Sequence, residues 1–395
     1  MNSHSSKGDS IILRNVLLVY LARFLTLLTY SSMRWYLPIL IAERLGIVEL
    51  GFIYGITNLP SLFMFAGGVI ADTIGVKIFT IIIPLITSIS LSPLYFATEW
   101  ISLLLSLFSI NMLNLEGPAL MSLLIRSVGE RHLGKFIALS RMVILFTVAI
   151  APLFSSLVLS FTSLQGFLII HIAILMIIIA LRLFLVEGKE QFKDNRNTLS
   201  IIVERLQENF SYIPVSFKKY STLVVLNSLS FITMSLIEPY VRYYFVDELK
   251  IDLTFIGLLS TVGNILQIVS QPICGLIIDR YGVRATLIID FSTKCLIIAS
   301  FTVLIPINKF LAVTIYNIQS IANFASSAYI TYIGRKLPKE RIALFTSSLG
   351  SLTSFLALFI PIITSYIWRV NLSYSLLLCI LGYLFLIVLS LRLKD

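Results

Sequence analysis

The chain has 395 residues, of which 57% are hydrophobic and only 13% charged, with a formal net charge of +10. Soluble domains carry about 25% charged residues, so this balance excludes a soluble globular protein, a disordered chain and a disulfide-stapled secreted scaffold. A bilayer-spanning helix needs about 20 apolar residues, so twelve of them fit at about 33 residues per span and connection. A polytopic helical membrane protein is the expectation.

The apolar runs in chain order carry that expectation. The first ten residues are polar, and the run that follows, 12–42, is too long for a signal-peptide core and has no small-residue cleavage site. It reads as span 1 and holds Arg23 and Arg34. Span 2 (50–71) holds Asn58 and ends on Gly68-Val-Ile-Ala-Asp72-Thr-Ile-Gly75-Val-Lys77. Span 3 is 78–98. Span 4 (101–125) holds Asn111, Asn114 and Glu116, and is followed by Arg126-Ser-Val-Gly-Glu130-Arg131. Span 5 (136–160) holds Arg141 and the run Thr147-x-x-x-Ala151-Pro152-x-x-Ser155-Ser156. Span 6 is 166–186.

The longest polar stretch, 187–218, comes next. Ile201, Ile202, Leu206 and Phe210 recur in it at helical spacing, with Glu204, Arg205 and Glu208 on the other side. That pattern predicts an amphipathic helix on the membrane surface; a disordered linker is the alternative. Span 7 (219–246) holds Asn227, Glu238, Pro239 and Arg242. Span 8 (254–278) holds Asn264 and ends on Gly275-Leu-Ile-Ile-Asp279-Arg280-Tyr-Gly282-Val-Arg284. Span 9 (285–306) holds Asp290 and Lys294, and span 10 (310–334) holds Asn317, Gln319 and Asn323 before Lys336-Leu-Pro-Lys-Glu340-Arg341. Spans 11 and 12 are 342–368 and 371–391.

With the N-terminus inside, the inner segments hold 18 of the 30 Lys and Arg residues, and the outer loops hold only Arg44, Lys250, Lys309 and Arg369. The basicity is therefore a topology signal rather than a nucleic-acid footprint. It places the chain in the plasma membrane, multi-pass, with both termini cytoplasmic. Two unrelated motifs recur at nearly one spacing: Asp72 to Asp279 is 207 residues and Glu130 to Glu340 is 210. Both copies face the same side, so the repeat is parallel with six spans per half. The predicted organisation is a six-helix bundle over 1–187, a linker over 188–218 and a second six-helix bundle over 219–395.

These features resemble the major facilitator superfamily of secondary transporters: twelve spans as six plus six, a long cytoplasmic connection, and the doubled Gly-x-x-x-Asp-(Arg)-x-Gly-x-(Arg/Lys) loop. The resemblance covers nearly the whole chain. The first loop has Thr73 where the family usually has arginine; the second keeps Asp279, Arg280 and Arg284. The resemblance implies two pseudo-symmetric all-α bundles. It also implies a gating role for Gly68, Asp72, Gly75, Lys77, Gly275, Asp279, Arg280, Gly282 and Arg284. Each aspartate sits at a helix C-terminus, where the dipole disfavours it. The implied partner is an arginine or a helix N-terminus of the other half, met only when the cytoplasmic side is closed. Gly68 and Gly275 are expected to permit close helix approach. In span 5 every glycine of the family's antiporter pattern is replaced by another residue, small at each site, so close packing is expected without the antiporter diagnosis.

Ionisable groups at mid-bilayer cost about 2.5–3.5 kcal/mol on insertion scales and usually face the interior. The resemblance places spans 1, 4, 7 and 10 around a central cavity. Arg23, Arg34, Glu116, Glu238 and Arg242 are thus the candidates for its polar core, with Asn58 and Asn264 (206 residues apart) as near-equivalent amides in spans 2 and 8. Glu238–Arg242 and Asp290–Lys294 are each spaced i,i+4 and can pair along one helix face; the second lies on a peripheral span and reads as structural. Arg34 aligns with Glu238 across the repeat and is expected to face it. Either Glu116 or Glu238 is a proton carrier, or all these charges are static pairs; the residues leave both open.

The expected function is secondary active transport of a small organic solute by alternating access, coupled to protons, with export favoured over uptake. A uniporter or uptake permease of the same fold is the alternative. A membrane-embedded lipid-modifying enzyme is a more distant one, since His4, His132 and His171 are scattered and no clustered carboxylates stand at bilayer depth. There is no GxxxxGK[ST] loop. Cys274, Cys295 and Cys379 read as small core hydrophobes. No catalytic residue, cofactor or metal is expected. The partners are a small-molecule substrate, protons and the lipid bilayer, not nucleic acid, and the protein is expected to act as a monomer.

Overall fold

The computed structural model describes residues 3–63, 70–71, 74–127, 133–185, 214, 216–337 and 339–393. Gly68, Asp72, Glu130 and the amphipathic pattern of 201–210 lie outside these residues. Among the described residues every regular element is helical. Nine helices among the described residues are long and apolar enough to cross a membrane, against twelve expected spans. The difference has local causes. Spans 8 and 9 run together as Leu253–Leu304, joined through Gly282 at φ 82°, a left-handed conformation that only glycine adopts without strain. The described part of span 2 is the shorter apolar helix Ile47–Leu62. Span 10 is broken into Lys309–Ile318, a 3₁₀ turn Gln319–Ala322, and Ala325–Lys336.

Spans 4 and 7 are broken as well. Span 4 runs Trp100–Met112, a 3₁₀ turn Leu113–Leu115 and Glu116–Ser127. Span 7 runs Ser221–Ser235 and Tyr240–Asp247, separated at Pro239. The turns of spans 4 and 10 begin at Leu113 and Gln319, 206 residues apart. Non-helical backbone at membrane depth survives where it is buried in protein or borders a cavity, so these breaks already mark the molecule's centre.

The connections divide into two ends, one carrying the chain termini and one opposite, here called the far end. Four helices that start at the far end are capped by their own side chains, Ser163, Asp252, Asn308 and Asn371, which accept from the backbone N–H groups of Gly166, Thr254 and Phe255, Leu311 and Ser373.

The two bundles meet in the far half through a crossed, near-symmetric contact. Gly51 of span 2 lies directly on Pro361 O and the Ser365 side chain of span 11, and Gly257 of span 8 lies directly on Pro152 O and the Ser156 side chain of span 5. A Cβ at either glycine would collide with backbone and force the helices apart. Gly51 and Gly257 are 206 residues apart, and Pro152 and Ser156 precede Pro361 and Ser365 by 209. Leu153 N–H donates to Thr261 Oγ1 at 3.2 Å, and Asn264 Nδ2 to Val148 O at 3.4 Å, on the same seam. Span 5 also holds span 1: Ser155 Oγ donates to Ser32 O at 3.1 Å and to its own Ala151 O at 2.9 Å. The small residues expected of span 5 therefore serve two interfaces.

Candidate functional site: a central cavity between the bundles

The cavity has three connected lobes that share residues. One, of about 210 Å³, is bordered by Glu238, Arg242, Asn264, Lys294, Tyr316 and Asn323. A second, of about 350 Å³, is bordered by Tyr30, Arg34, Trp35, Tyr54, Arg242 and Asn264. The third, of about 480 Å³, reaches toward the terminal end between Ser61 and Gly350 and includes Arg34, Asn58 and Glu238. Arg242 borders all three.

Arg34, Glu238, Arg242, Asn58 and Asn264 are thus brought together at the cavity wall. Arg34 and Glu238 do not pair, contrary to the alignment of spans 1 and 7. Arg34 is held by neutral groups: Nε and Nη2 donate to Tyr54 Oη at 3.1 and 3.0 Å, and Nη1 donates to Tyr30 Oη and, at 3.4 Å, to Asn111 Oδ1. Its guanidinium also lies 5.5 Å from the Tyr30 ring centre and 5.4 Å from that of Tyr54. Tyr30 sits one turn before Arg34, so helical spacing brings it there; Tyr54 arrives from span 2. Glu238, in the break of span 7, pairs at 3.0 Å with Arg242 on the helix that follows, and both side chains are about one quarter exposed. Asn58 Nδ2 donates to Tyr54 O at 2.6 Å.

Glu116 is a correction. It is not at the cavity but buried within the first bundle, bound by Arg182 of span 6 in a two-point pair, Nη1 to Oε1 at 2.8 Å and Nη2 to Oε2 at 2.6 Å. Arg182 also donates to Thr80 O of span 3 and, at 2.8 Å, to Thr26 Oγ1 of span 1. One fork therefore ties four spans. An arginine close to a predicted span end resembles an ordinary interfacial charge, which is why Arg182 escapes a reading by position. Arg23 is a second correction. It lies outside the cavity lining, half-buried, with Nη1 buried and without a hydrogen-bond partner among the described residues.

In the second bundle, Asp290 is fully buried and pairs with Lys294 at 2.9 Å. Its other oxygen accepts the N–H groups of Phe324 (2.7 Å) and Ala325 (3.1 Å), which open the inner helix of span 10. The carboxylate thus caps a helix on a neighbouring span. Lys294 reaches through the break, donates to Asn323 Oδ1 at 3.4 Å and borders the cavity. The spacing correctly identifies a pair with a structural role but does not reveal that its cation faces the cavity.

The gating loops are only partly described. Gly75 (φ 99°) starts span 3, and Lys77 Nζ donates to Leu183 O at 2.6 Å, within the first bundle. Asp279 pairs with Arg335 of its own bundle at 3.2 Å, with the two side chains 77% and 49% exposed, so the expected partner in the other half is not engaged. Arg280 lies against Tyr281, and Arg284 is exposed. A Cβ on Gly275 would meet open space, so no close approach exists there in this conformation.

Residues 19–222 and 223–394 each match the family profile of the Major Facilitator Superfamily. The chain belongs to this superfamily. No curated protein matches the sequence significantly. Solved structures of similar fold include the nucleoside transporter NupG, at a TM-score of 0.74 and 14% identity over 96% of this chain and 99% of that one. A bacterial homologue of the iron transporter ferroportin, in an inward-facing state, is similar at 0.68 and 15% over 96% and 98%. The inward-open xylose transporter XylE from E. coli is similar at 0.64 and 12% over 95% of each chain. Such identities speak to fold alone. Membership makes the protein a membrane transporter, and the cavity between its superfamily halves is the place to look for the transported molecule.

Proposed function

We propose that the protein moves a small organic solute across the plasma membrane by alternating access, driven by protons, with export the favoured direction. The bundles 1–187 and 219–395 are the two bodies that rock. Positive residues on the terminal side make that side cytoplasmic, so the far-end seam of Gly51 and Gly257 closes the outside and the cavity faces inward. Asp279, held by Arg335 of its own bundle, is then free to exchange that partner for the opposite half when the inside closes. Asp72 is proposed to act likewise.

The observation that carries proton coupling is the position of Glu238. Among the described residues that border these lobes it is the one carboxylate, and its partner Arg242 lies four residues further along the same span. Breaking this pair moves no helix, so Glu238 can trade Arg242 for a proton during the cycle. Glu116, by contrast, cannot release Arg182 without loosening four spans. In proteoliposomes, Glu238→Gln is expected to abolish the stimulation of solute flux by a pH gradient while leaving exchange at equal pH. Full gradient-driven flux in that variant would discard proton coupling through Glu238 and favour a uniporter.

A further inference from the structure

We propose that the lobe between Arg34 and Arg242 is an oxyanion-binding site, and that the transported solute is an amphiphilic organic anion. The inference rests on the transport reading above and narrows its substrate.

A guanidinium has five N–H groups. Four contacts from Arg34 are accounted for by Tyr54, Tyr30 and Asn111, leaving one N–H on Nη2. A phenol oxygen has two acceptor lone pairs and one O–H. Tyr30 Oη accepts from Arg34 Nη1 and from Asn114 Nδ2 at 2.9 Å. Tyr54 Oη accepts from Arg34 Nε and Nη2. Both phenols are therefore filled as acceptors, and each has only its hydrogen left to give. The remaining valences of the guanidinium and the two phenols are all donors: one guanidinium N–H and two O–H groups. Only an acceptor can complete them, and a charged acceptor completes them best.

The charge balance agrees. Among the described residues no acidic side chain forms an ion pair with Arg34, and this lobe is bordered by two arginines and no carboxylate. Arg242 stands across it and brings a second cation whose acid, Glu238, faces the neighbouring lobes. A cation in a space walled by low-dielectric protein draws a counterion strongly. The rest of the lining supplies the body of the ligand: Trp35, Val148 and Pro152 beside the arginines, and Phe231, Met234 and Ala357 in the larger lobe. At about 350 and 480 Å³ the two lobes fit one charged head and one ring-sized apolar body.

The test uses the full-length protein purified in detergent, with benzenesulfonate, phenyl phosphate and benzoate as anionic probes. The uncharged benzenesulfonamide and the cation phenyltrimethylammonium serve as isosteres. Saturable binding by calorimetry is expected for at least one anion, at more than about tenfold higher affinity than for either isostere, the difference one charge-assisted hydrogen bond supplies. Arg34→Gln is expected to abolish that preference. Tyr30→Phe and Tyr54→Phe, which keep the ring and remove the hydroxyl that both holds Arg34 in place and donates to the anion, are expected to weaken anion binding several-fold without changing binding of the sulfonamide. Preference for an uncharged or cationic probe, absence of binding by all three anions, or a Tyr30→Phe and Tyr54→Phe pair with unaltered anion affinity would overturn the proposal. Benzenesulfonate flux in proteoliposomes reads the underlying transport function separately. Binding without flux would leave the site and remove transport; flux of a neutral or cationic solute without anion binding would do the reverse.

Discussion

The two bundles handle their intramembrane charges in opposite ways. In the first, Glu116 and Arg182 come from different spans and clamp helix to helix through a two-point contact, with both side chains almost fully buried. In the second, each acid meets a base four residues further along the same span, Glu238 with Arg242 and Asp290 with Lys294. The Glu238–Arg242 pair neutralises charge without tying spans together, so its cation can face a cavity and change partner; Asp290 differs in that it also caps span 10 through Phe324 and Ala325. A pair between spans is a rivet. The first bundle then leaves Arg34 with neutral partners only, so its one cavity-facing charge has no internal acid. The contrast separates charges buried between helices from charges that border the cavity.

Three substitutions grade this contrast. The largest loss is expected for Arg182→Met, which strands a buried carboxylate and should cost about 3–5 kcal/mol; thermal unfolding of the detergent-purified protein measures it, and a midpoint within a degree of wild type would end the rivet reading. Asp290→Asn should cost less, about 1–3 kcal/mol. Its remaining oxygen still accepts from Phe324 and Ala325, while Lys294 loses its counter-charge. The same unfolding assay reads this, and a loss equal to that of Arg182→Met would mean that the Asp290–Lys294 charge pair holds the fold as firmly as the pair between spans does. The smallest effect belongs to Arg335→Gln, which removes an exposed pair with Asp279 worth less than about 1 kcal/mol. Stability should hardly change, and a large drop would show that the pair is a structural tie rather than a resting partner.

Much of the fold is legible in the sequence because bilayer thickness fixes span length and the repeat fixes parity. The Asp72 and Asp279 loops carry the resemblance that the family match supports. Legibility fails where a contact joins residues far apart in the chain. Asn58 and Asn264 are readable as a pseudo-symmetric pair, and Tyr30 as a neighbour of Arg34. Tyr54, Arg182 and the cap that Asp290 provides to Ala325 depend on which helices pack together, and no periodicity encodes that. The crossed seam of Gly51 on Pro361 and Gly257 on Pro152 has a signal, the shared offsets of 206 and 209 residues, but only a known helix arrangement says which glycine meets which proline.

Alternating access is the central claim, and a pair of distances across the bundle interface tests it most directly. Spin labels at Arg44→Cys and Arg369→Cys report the far end, and labels at Arg14→Cys and Arg280→Cys report the terminal end; all four positions are exposed. The buried Cys274, Cys295 and Cys379 are replaced by serine or alanine beforehand. Upon saturation with benzenesulfonate, or whichever anion binds best, a second population is expected in which the far-end distance lengthens while the terminal-end distance shortens. Two distances that stay fixed, or that change in the same sense, would contradict the account.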